Sequence, residues 1–137
     1  MTIAFTATQT IPAAPDTVWS TLTDWTRAPE WLGVERMRGE STPRAGSELT
    51  FVARGAERTS TITELEPGRR ITMTSTQGPV TAHYRYSIAP DGAGSRVTLE
   101  SDVLVTGPLK LMAPMIRRSI AKEDGTQLER LAAVVTG

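Results

Sequence analysis

The 137-residue sequence has no cysteine, which excludes disulfide bonds, a thiol nucleophile and a thiolate metal site. It has a single histidine, so we expect no histidine-centred metal site and no metal or other cofactor. It also has no net charge, because Lys+Arg and Asp+Glu both number 15. Proteins that bind nucleic acid usually carry an excess of basic residues, so we expect no nucleic-acid partner.

Long apolar runs are missing as well. No stretch approaches the roughly 18–20 residues that a membrane-spanning helix needs. The first segment, MTIAFTATQTIPAAP, lacks the basic and apolar regions of a secretory signal. These features predict a cytoplasmic protein without integral membrane association. The length fits one domain, residues 1–137, with a core large enough to need no disulfide or metal.

The order of local patterns predicts an α+β fold. Thr2–Ile11 is typical of a strand, and two short helical segments follow, Pro15–Leu22 and a turn from Pro29 to Gly33. Polar and apolar residues then alternate with period two, interrupted by turn sequences such as PRAGS, EPGR and PDGAGS, which predicts an antiparallel meander. The strands predicted there are Val34–Glu40, Ser47–Arg54, Arg58–Glu66, Arg69–Gln77, Val80–Ala89 and Ser95–Thr106.

The segment GPLKLMAPMIRRSIAKEDGTQLERL, from Gly107 to Leu131, predicts the last and longest helix. Pro114 lacks an N–H donor and clashes with a preceding helical turn unless it starts a helix. We therefore expect a short first segment near Pro108–Met112 and a main helix from about Ala113. Gly125 lowers helix propensity by roughly 1 kcal/mol relative to alanine and marks a bend or a close contact.

The apolar residues of this helix recur with helical spacing and form one stripe. The stripe consists of Leu109, Met112, Ile116 and Ile120. Depending on the helical phase, Glu123 or Asp124 comes next, so a carboxylate enters or borders the buried face. That carboxylate could hold a ligand hydroxyl, act as an acid or base, or cap another group. Several basic residues lie off the stripe, where a solvated face is favoured over a membrane-surface patch.

Clear alternation in two strands, Val80–Ala89 and Ser95–Thr106, with Leu104 as the exception, separates an apolar face of the sheet from a polar one. Tyr84 and Tyr86 share the apolar face. His83 falls on the polar face, so we expect it to be a solvated surface residue and not a general base. The last helix is the only long element that can cover the apolar face, and the space between them predicts a cavity.

Five motifs together resemble the START-like helix-grip superfamily, specifically its bacterial polyketide cyclase/dehydrase and lipid transport group. They are IPAAPDTVWSTLTDW, PEWLGVERM, EPGRRI, PDGAGSRVTLESDV and the final GPLKLMAPMIRRSI…LERL, which occur in this order over nearly the whole chain. The resemblance implies a curved seven-stranded antiparallel sheet with two short helices and a long C-terminal helix around a hydrophobic cavity. It also implies a small apolar ligand, such as a lipid, hormone or polyketide. Only a minority of the proteins in this superfamily are enzymes.

The predicted ligand-binding residues line the space between the apolar face and the last helix. They are Trp31, Phe51, Ile71, Met73, Tyr84, Tyr86, Leu99, Met112, Ile116, Ile120 and Asp124. Tyr84 and Tyr86 either offer hydroxyls to a ligand or are packed core residues. Trp25 and Trp31 either flank the pocket mouth or anchor the short helices. The break at Pro114 is a candidate gate at one end of the cavity, together with flexible methionines on either side, Met112 and Met115.

Three functions remain open at this point. Binding or transport of a small lipid- or polyketide-like molecule is favoured, because the inferred cavity is mostly aliphatic and aromatic. A cyclase or dehydratase would have to use Tyr84, Tyr86 and either Asp124 or Glu123, and no spacing assigns these residues to catalysis. A protein-interaction module, like chaperone-activating relatives, would expose a large apolar patch. Homodimer formation and the identity of the ligand are open as well.

Overall fold

A computed structural model describes residues 2–137, and its centre is a seven-stranded antiparallel sheet in the order β1-β7-β6-β5-β4-β3-β2. The strands are β1 (Thr2–Ile11), β2 (Arg36–Arg38), β3 (Glu48–Ala53), β4 (Ala56–Glu66), β5 (Arg70–Gln77), β6 (Val80–Asp91) and β7 (Gly94–Val105). The meander from β2 to β7 and the α+β fold class are confirmed. The second strand is shorter than the predicted Val34–Glu40, and β1 completes the sheet by pairing with β7.

The short helices follow β1 as α1 (Pro15–Leu22), a 3-10 turn (Trp25–Arg27) and α2 (Ala28–Trp31). Asp24 stabilises the start of the turn, because its carboxylate accepts hydrogen bonds from the Thr26 backbone N–H at 3.2 Å and from the Thr26 hydroxyl at 2.6 Å. Trp25 and Trp31 are both buried. The structure therefore favours the interpretation in which these two indoles anchor the short helices.

The C-terminal region contains a 3-10 segment (Gly107–Met112), α3 (Ala113–Asp124) and α4 (Gln127–Thr136). The short segment before Ala113 is where the sequence predicts it. The long helical region is also bent, since α3 and α4 are separated at Gly125 and Thr126. A Cβ atom on Gly125 would lie 2.5 Å from the Ala121 carbonyl oxygen, so this bend excludes a side chain.

The inner face of the sheet holds two apolar clusters. In the larger one, α4 packs against β1, α1 and α2, and Leu128 and Leu131 of α4 are buried. In the smaller one, Ile116 and Ile120 of α3 pack against residues of β6 and β7. The expected apolar stripe is only partly buried, because its first members, Leu109 and Met112, are each 42% exposed.

Alternation along β6 and β7 places the tyrosines and the histidine as predicted. Tyr84 and Tyr86 lie on the inner face with the apolar clusters. His83 is half-buried on the outer face, where its Nδ1 lies 2.7 Å from the Thr74 hydroxyl. The outer face also carries ion pairs of Arg85 with Glu64 and Glu100. It is therefore the polar side of the sheet.

Candidate functional site

A cavity of about 270 Å³ lies between the inner face of the sheet and the junction of α3 with α4. Most of its lining is apolar and comes from β2, β3, β5 and the segment after α2. These apolar lining residues are Leu32, Val34, Met37, Phe51, Ala53 and Met73. Exposed residues at Gly33, Arg54 and Glu123 form the mouth. The cavity is thus an apolar space with a charged entrance.

Two tyrosines of β6 reach from the sheet to the helices across this cavity. The Tyr84 hydroxyl donates to Asp124 Oδ2 at 2.8 Å, at the end of α3. The Tyr86 hydroxyl donates to Gln127 Oε1 at 2.6 Å, at the start of α4. Because residues two apart on a strand point to the same face, both phenols meet the bent helical junction from one side. All four side chains line the cavity.

Both phenols stay protonated over the whole physiological pH range. Burial raises the pKa of Tyr84, and the negative charge of Asp124 raises it further. Burial likewise raises the pKa of Tyr86 well above its ordinary value, with smaller contributions from Tyr84 and Asp124. Each phenol has a single hydrogen, which it already donates to Asp124 or Gln127, so towards a ligand its oxygen is an acceptor, and neither group is a good general base.

Trp31 lies behind Tyr86 and not on the cavity surface. The two rings are perpendicular, with centroids 5.8 Å apart and an interplanar angle of 86°. Edge-to-face contact of this kind is a favoured aromatic geometry and fixes the position of the Tyr86 ring. The Trp31 Nε1 is buried and has no hydrogen-bond partner among residues 2–137.

An ion pair crosses the mouth of the cavity. Arg54 and Glu123 form a salt bridge that joins the β3–β4 hairpin to the end of α3. Arg54 has a φ of 54° and Gly55 a φ of 75°, the left-handed conformations that a tight two-residue hairpin turn requires. The Gly55 N–H also donates to Glu35 Oε1 at 3.1 Å, which ties the hairpin tip to the segment before β2.

Arg130 of α4 is a second cation of the cavity lining. Its Nε is buried and has no hydrogen-bond partner in the described part of the chain. No salt bridge joins Arg130 to Asp124 or to any other carboxylate of residues 2–137. Sequence reasoning missed this residue because it is charged and lies outside the apolar stripe. Its spacing of three from Gln127 was the available signal, since such residues share a helix face.

Other surface features do not resemble this site. A depression of about 380 Å³ lies at the opposite end of the sheet, but most of its lining is exposed and comes from the start of α1, the β4–β5 turn and the end of β6, around Asp16, Pro67 and Pro90. No group of three or more histidine or acidic side chains within residues 2–137 is placed to hold a metal ion. No helix in the same range is long and apolar enough to cross a bilayer.

Comparison with known proteins connects this architecture to a family. A model of the family described as Polyketide cyclase / dehydrase and lipid transport matches residues 2–136. The chain belongs to this family. No curated protein matches the sequence.

Solved structures of several proteins resemble this member of the polyketide cyclase/dehydrase and lipid transport family. The protein TTHA0849 from Thermus thermophilus has a TM-score of 0.74 and 21% identity, over 96% of this chain and 95% of that one. A START superfamily protein from Mycobacterium smegmatis has a TM-score of 0.72 and 17% identity, over 96% of both chains. The di-domain ARO/CYC StfQ from the steffimycin biosynthetic pathway has a TM-score of 0.72 and 15% identity, over 96% of this chain and 49% of that one. These similarities confirm the START-like fold.

The structure separates the predicted ligand-binding residues into three groups. Those on the cavity surface are Phe51, Met73, Tyr84, Tyr86 and Asp124. Those buried in the core, without being part of the cavity lining, are Trp31, Ile71 and Leu99. Those away from the cavity are Met112, Ile116 and Ile120. For this member of the family, a role in ligand binding remains a prediction for every one of them.

The structure does not place the expected gate, the break at Pro114, at one end of the cavity. Pro114, Met112 and Met115 do not line the cavity, because they precede or begin α3 and the cavity lies at its other end. Both of the alternative acids, Glu123 and Asp124, reach the cavity. Asp124 bonds to Tyr84 inside it, whereas Glu123 pairs with Arg54 at the mouth.

Proposed function

We propose that the cavity binds one small, mostly apolar molecule that carries oxygen groups. The observation that supports this most is the position of two phenols, the buried Tyr86 and the half-buried Tyr84, in a mostly apolar cavity that side chains leave unfilled. Apolar walls such as Phe51 and Met73 supply the hydrophobic contribution to affinity, and a few convergent polar groups supply orientation.

The size of the cavity limits the class of ligand. Its volume of about 270 Å³ is just below the usual range for small-molecule pockets, roughly 300–1,000 Å³. A compact ring system or a short chain therefore suits it better than a membrane lipid with two long acyl chains. The hydroxyl oxygens of Tyr84 and Tyr86, whose protons are donated to Asp124 and Gln127, suit a ligand that carries hydroxyl groups.

Native mass spectrometry with a matched pair of variants tests this proposal. Ser75 lines the cavity, whereas Thr76 is the next residue of β5 and is exposed. We expect the purified wild type and Thr76→Phe to carry a bound small molecule, and Ser75→Phe to lack it because the new ring fills the cavity. If both variants carried the same amount of bound molecule, the ligand would bind elsewhere. If the wild type carried no bound molecule, the result would contradict the proposal.

The second candidate function is cyclisation or dehydration of a β-keto substrate, and the contact between Tyr84 and Asp124 favours it. Such a reaction needs a base that removes a proton next to a carbonyl and a donor that stabilises the enolate oxygen. Asp124 is the available carboxylate, and a Tyr84 or Tyr86 phenol becomes a donor to the substrate when its single proton turns away from Asp124 or Gln127. The family's description as polyketide cyclase / dehydrase supplies the substrate class to test.

Turnover of a poly-β-ketone thioester, followed by mass spectrometry, separates the two functions. If the protein is an enzyme, wild type accelerates cyclisation or water loss, and Asp124→Asn abolishes the acceleration while retaining binding. His83→Ala should have no effect on either, because His83 lies on the outer face. A wild-type rate equal to that of the buffer would leave binding or transport as the function.

A further inference from the structure

The charged residues of the cavity show which polar group the ligand should carry. Four charged side chains line it, namely Arg54, Glu123, Asp124 and Arg130. Arg54 and Glu123 neutralise each other at the mouth. The Asp124 carboxylate accepts the Tyr84 hydroxyl at 2.8 Å. Arg130 alone combines a positive charge with a buried donor, its Nε, that has no partner among residues 2–137.

A buried donor without an acceptor costs free energy, so native proteins usually pair such groups. Arginine is suited to carboxylates in particular, because its guanidinium presents two parallel N–H donors that match the two carboxylate oxygens. Asp124 does not fill this role, since it makes no salt bridge with Arg130. The guanidinium of Arg130 therefore has no anionic partner among residues 2–137, and a ligand in the cavity that it lines can supply one.

We propose that the ligand is a small apolar carboxylic acid, and that Arg130 binds its carboxylate while the apolar part lies against Phe51 and Met73. This inference rests on the proposed binding function and adds the chemical class of the ligand. The location of Arg130 supports the orientation, because its guanidinium lies near exposed Gly33 at the mouth. A carboxylate held there stays next to solvent, which lowers the cost of its desolvation.

Isothermal titration calorimetry with naphthaleneacetic acid and its neutral amide, naphthaleneacetamide, tests this proposal. The two probes share one apolar frame and differ in charge. We expect the acid to bind roughly ten- to a hundredfold more tightly than the amide, as for a charge-assisted hydrogen bond. Arg130→Gln should reduce this preference to near unity, and Arg118→Gln, a matched change at an exposed site on α3, should leave it unchanged.

A second variant keeps the proposal testable even if Arg130→Gln fails to fold. Asp124→Asn removes a negative charge from the lining and keeps an oxygen that can accept the Tyr84 hydroxyl. We expect this change to strengthen binding of the acid and to leave binding of the amide nearly unchanged. If Asp124 had a purely structural role, the Asp124→Asn variant would bind both the acid and the amide more weakly.

The outcomes distinguish this inference from the function on which it rests. Equal affinity of wild type for acid and amide would overturn the assignment of a carboxylate and leave the binding function intact. An acid preference that persists in Arg130→Gln would overturn the role of Arg130. Binding of either probe that Ser75→Phe does not reduce would contradict the cavity itself, and with it the proposed function.

Discussion

The two ends of the C-terminal helical region have similar apolar contents and opposite environments. At one end, Leu128 and Leu131 of α4 are buried between β1, α1 and α2, and Leu131 is 0% exposed. At the other end, Leu111 is 92% and Met115 60% exposed. The difference comes from the elements available to cover each end, because the two short helices pack against α4. Helical periodicity thus shows which residues share a face, but the neighbouring elements decide whether that face is buried.

The comparison also explains where the cavity lies. The bend at Gly125 separates α3 from α4, and the polar residues around it face the tyrosines of β6. On both sides of this point, apolar residues of the helices pack against the inner face of the sheet and form the two clusters. The cavity is therefore associated with the junction of the helices, and the exposed end of the region plays no part in it.

The largest effect that would test this comparison is expected from Leu131→Ala. Removing a fully buried leucine side chain from the larger cluster should lower the free energy of unfolding by about 2–5 kcal/mol. Urea unfolding followed by circular dichroism measures this loss. A loss below about 1 kcal/mol would mean that α4 is not part of the core.

A smaller loss of unfolding free energy is expected when only one partner of the hydrogen bond between Tyr86 and Gln127 is replaced. Gln127→Leu leaves the buried Tyr86 hydroxyl without its acceptor and should cost about 1–3 kcal/mol. The double variant Gln127→Leu, Tyr86→Phe removes both polar groups and should recover part of that loss. Additive losses in the same unfolding assay would show that the two residues are not coupled.

The raised pKa values of Tyr84 and Tyr86 predict that stability falls in alkaline solution. In the unfolded chain both phenols titrate at about pH 10, whereas in the folded protein they hold their protons to higher pH. The folded state then binds more protons above about pH 10, so stability is fully present below that pH and is lost above it. Tyr86→Phe should make the decline measured by urea unfolding shallower, and an unchanged slope would contradict the burial of this hydroxyl.

The smallest effect is expected at the exposed end. Leu111→Ser should change the free energy of unfolding by no more than about 0.5 kcal/mol, since its side chain is almost fully exposed. Comparison with Leu131→Ala in the same assay gives the contrast between the two ends directly. A loss at Leu111 similar to that at Leu131 would mean that the segment before α3 is covered.

Much of the fold could be predicted from the sequence, because alternation and turn residues act locally. The strand phase around Tyr84 follows from such a local pattern, and so does the short segment before Ala113. The site was less accessible to prediction. Ile116 and Ile120 match the helical stripe, yet the cavity lies beyond them at the end of α3, and Arg130 is a charged residue that a search for apolar periodicity passes over.

The identity of the cavity-lining acid shows the same limitation. The sequence left Glu123 and Asp124 as alternatives, because each fits one helical phase. Both line the cavity, since α3 ends at Asp124 and turns there. Their different roles depend on partners from distant strands, Arg54 and Tyr84, and no local pattern indicates those contacts.

Hydrogen–deuterium exchange can show whether the ligand is held at the helical junction or at the exposed end. Wild-type protein as purified would be compared with protein stripped of small molecules by unfolding in urea, dialysis and refolding. We expect faster exchange after stripping in residues 123–130 and in the hairpin around Arg54, with no change in residues 107–115. Identical exchange in both samples, or a difference confined to residues 107–115, would contradict this expectation.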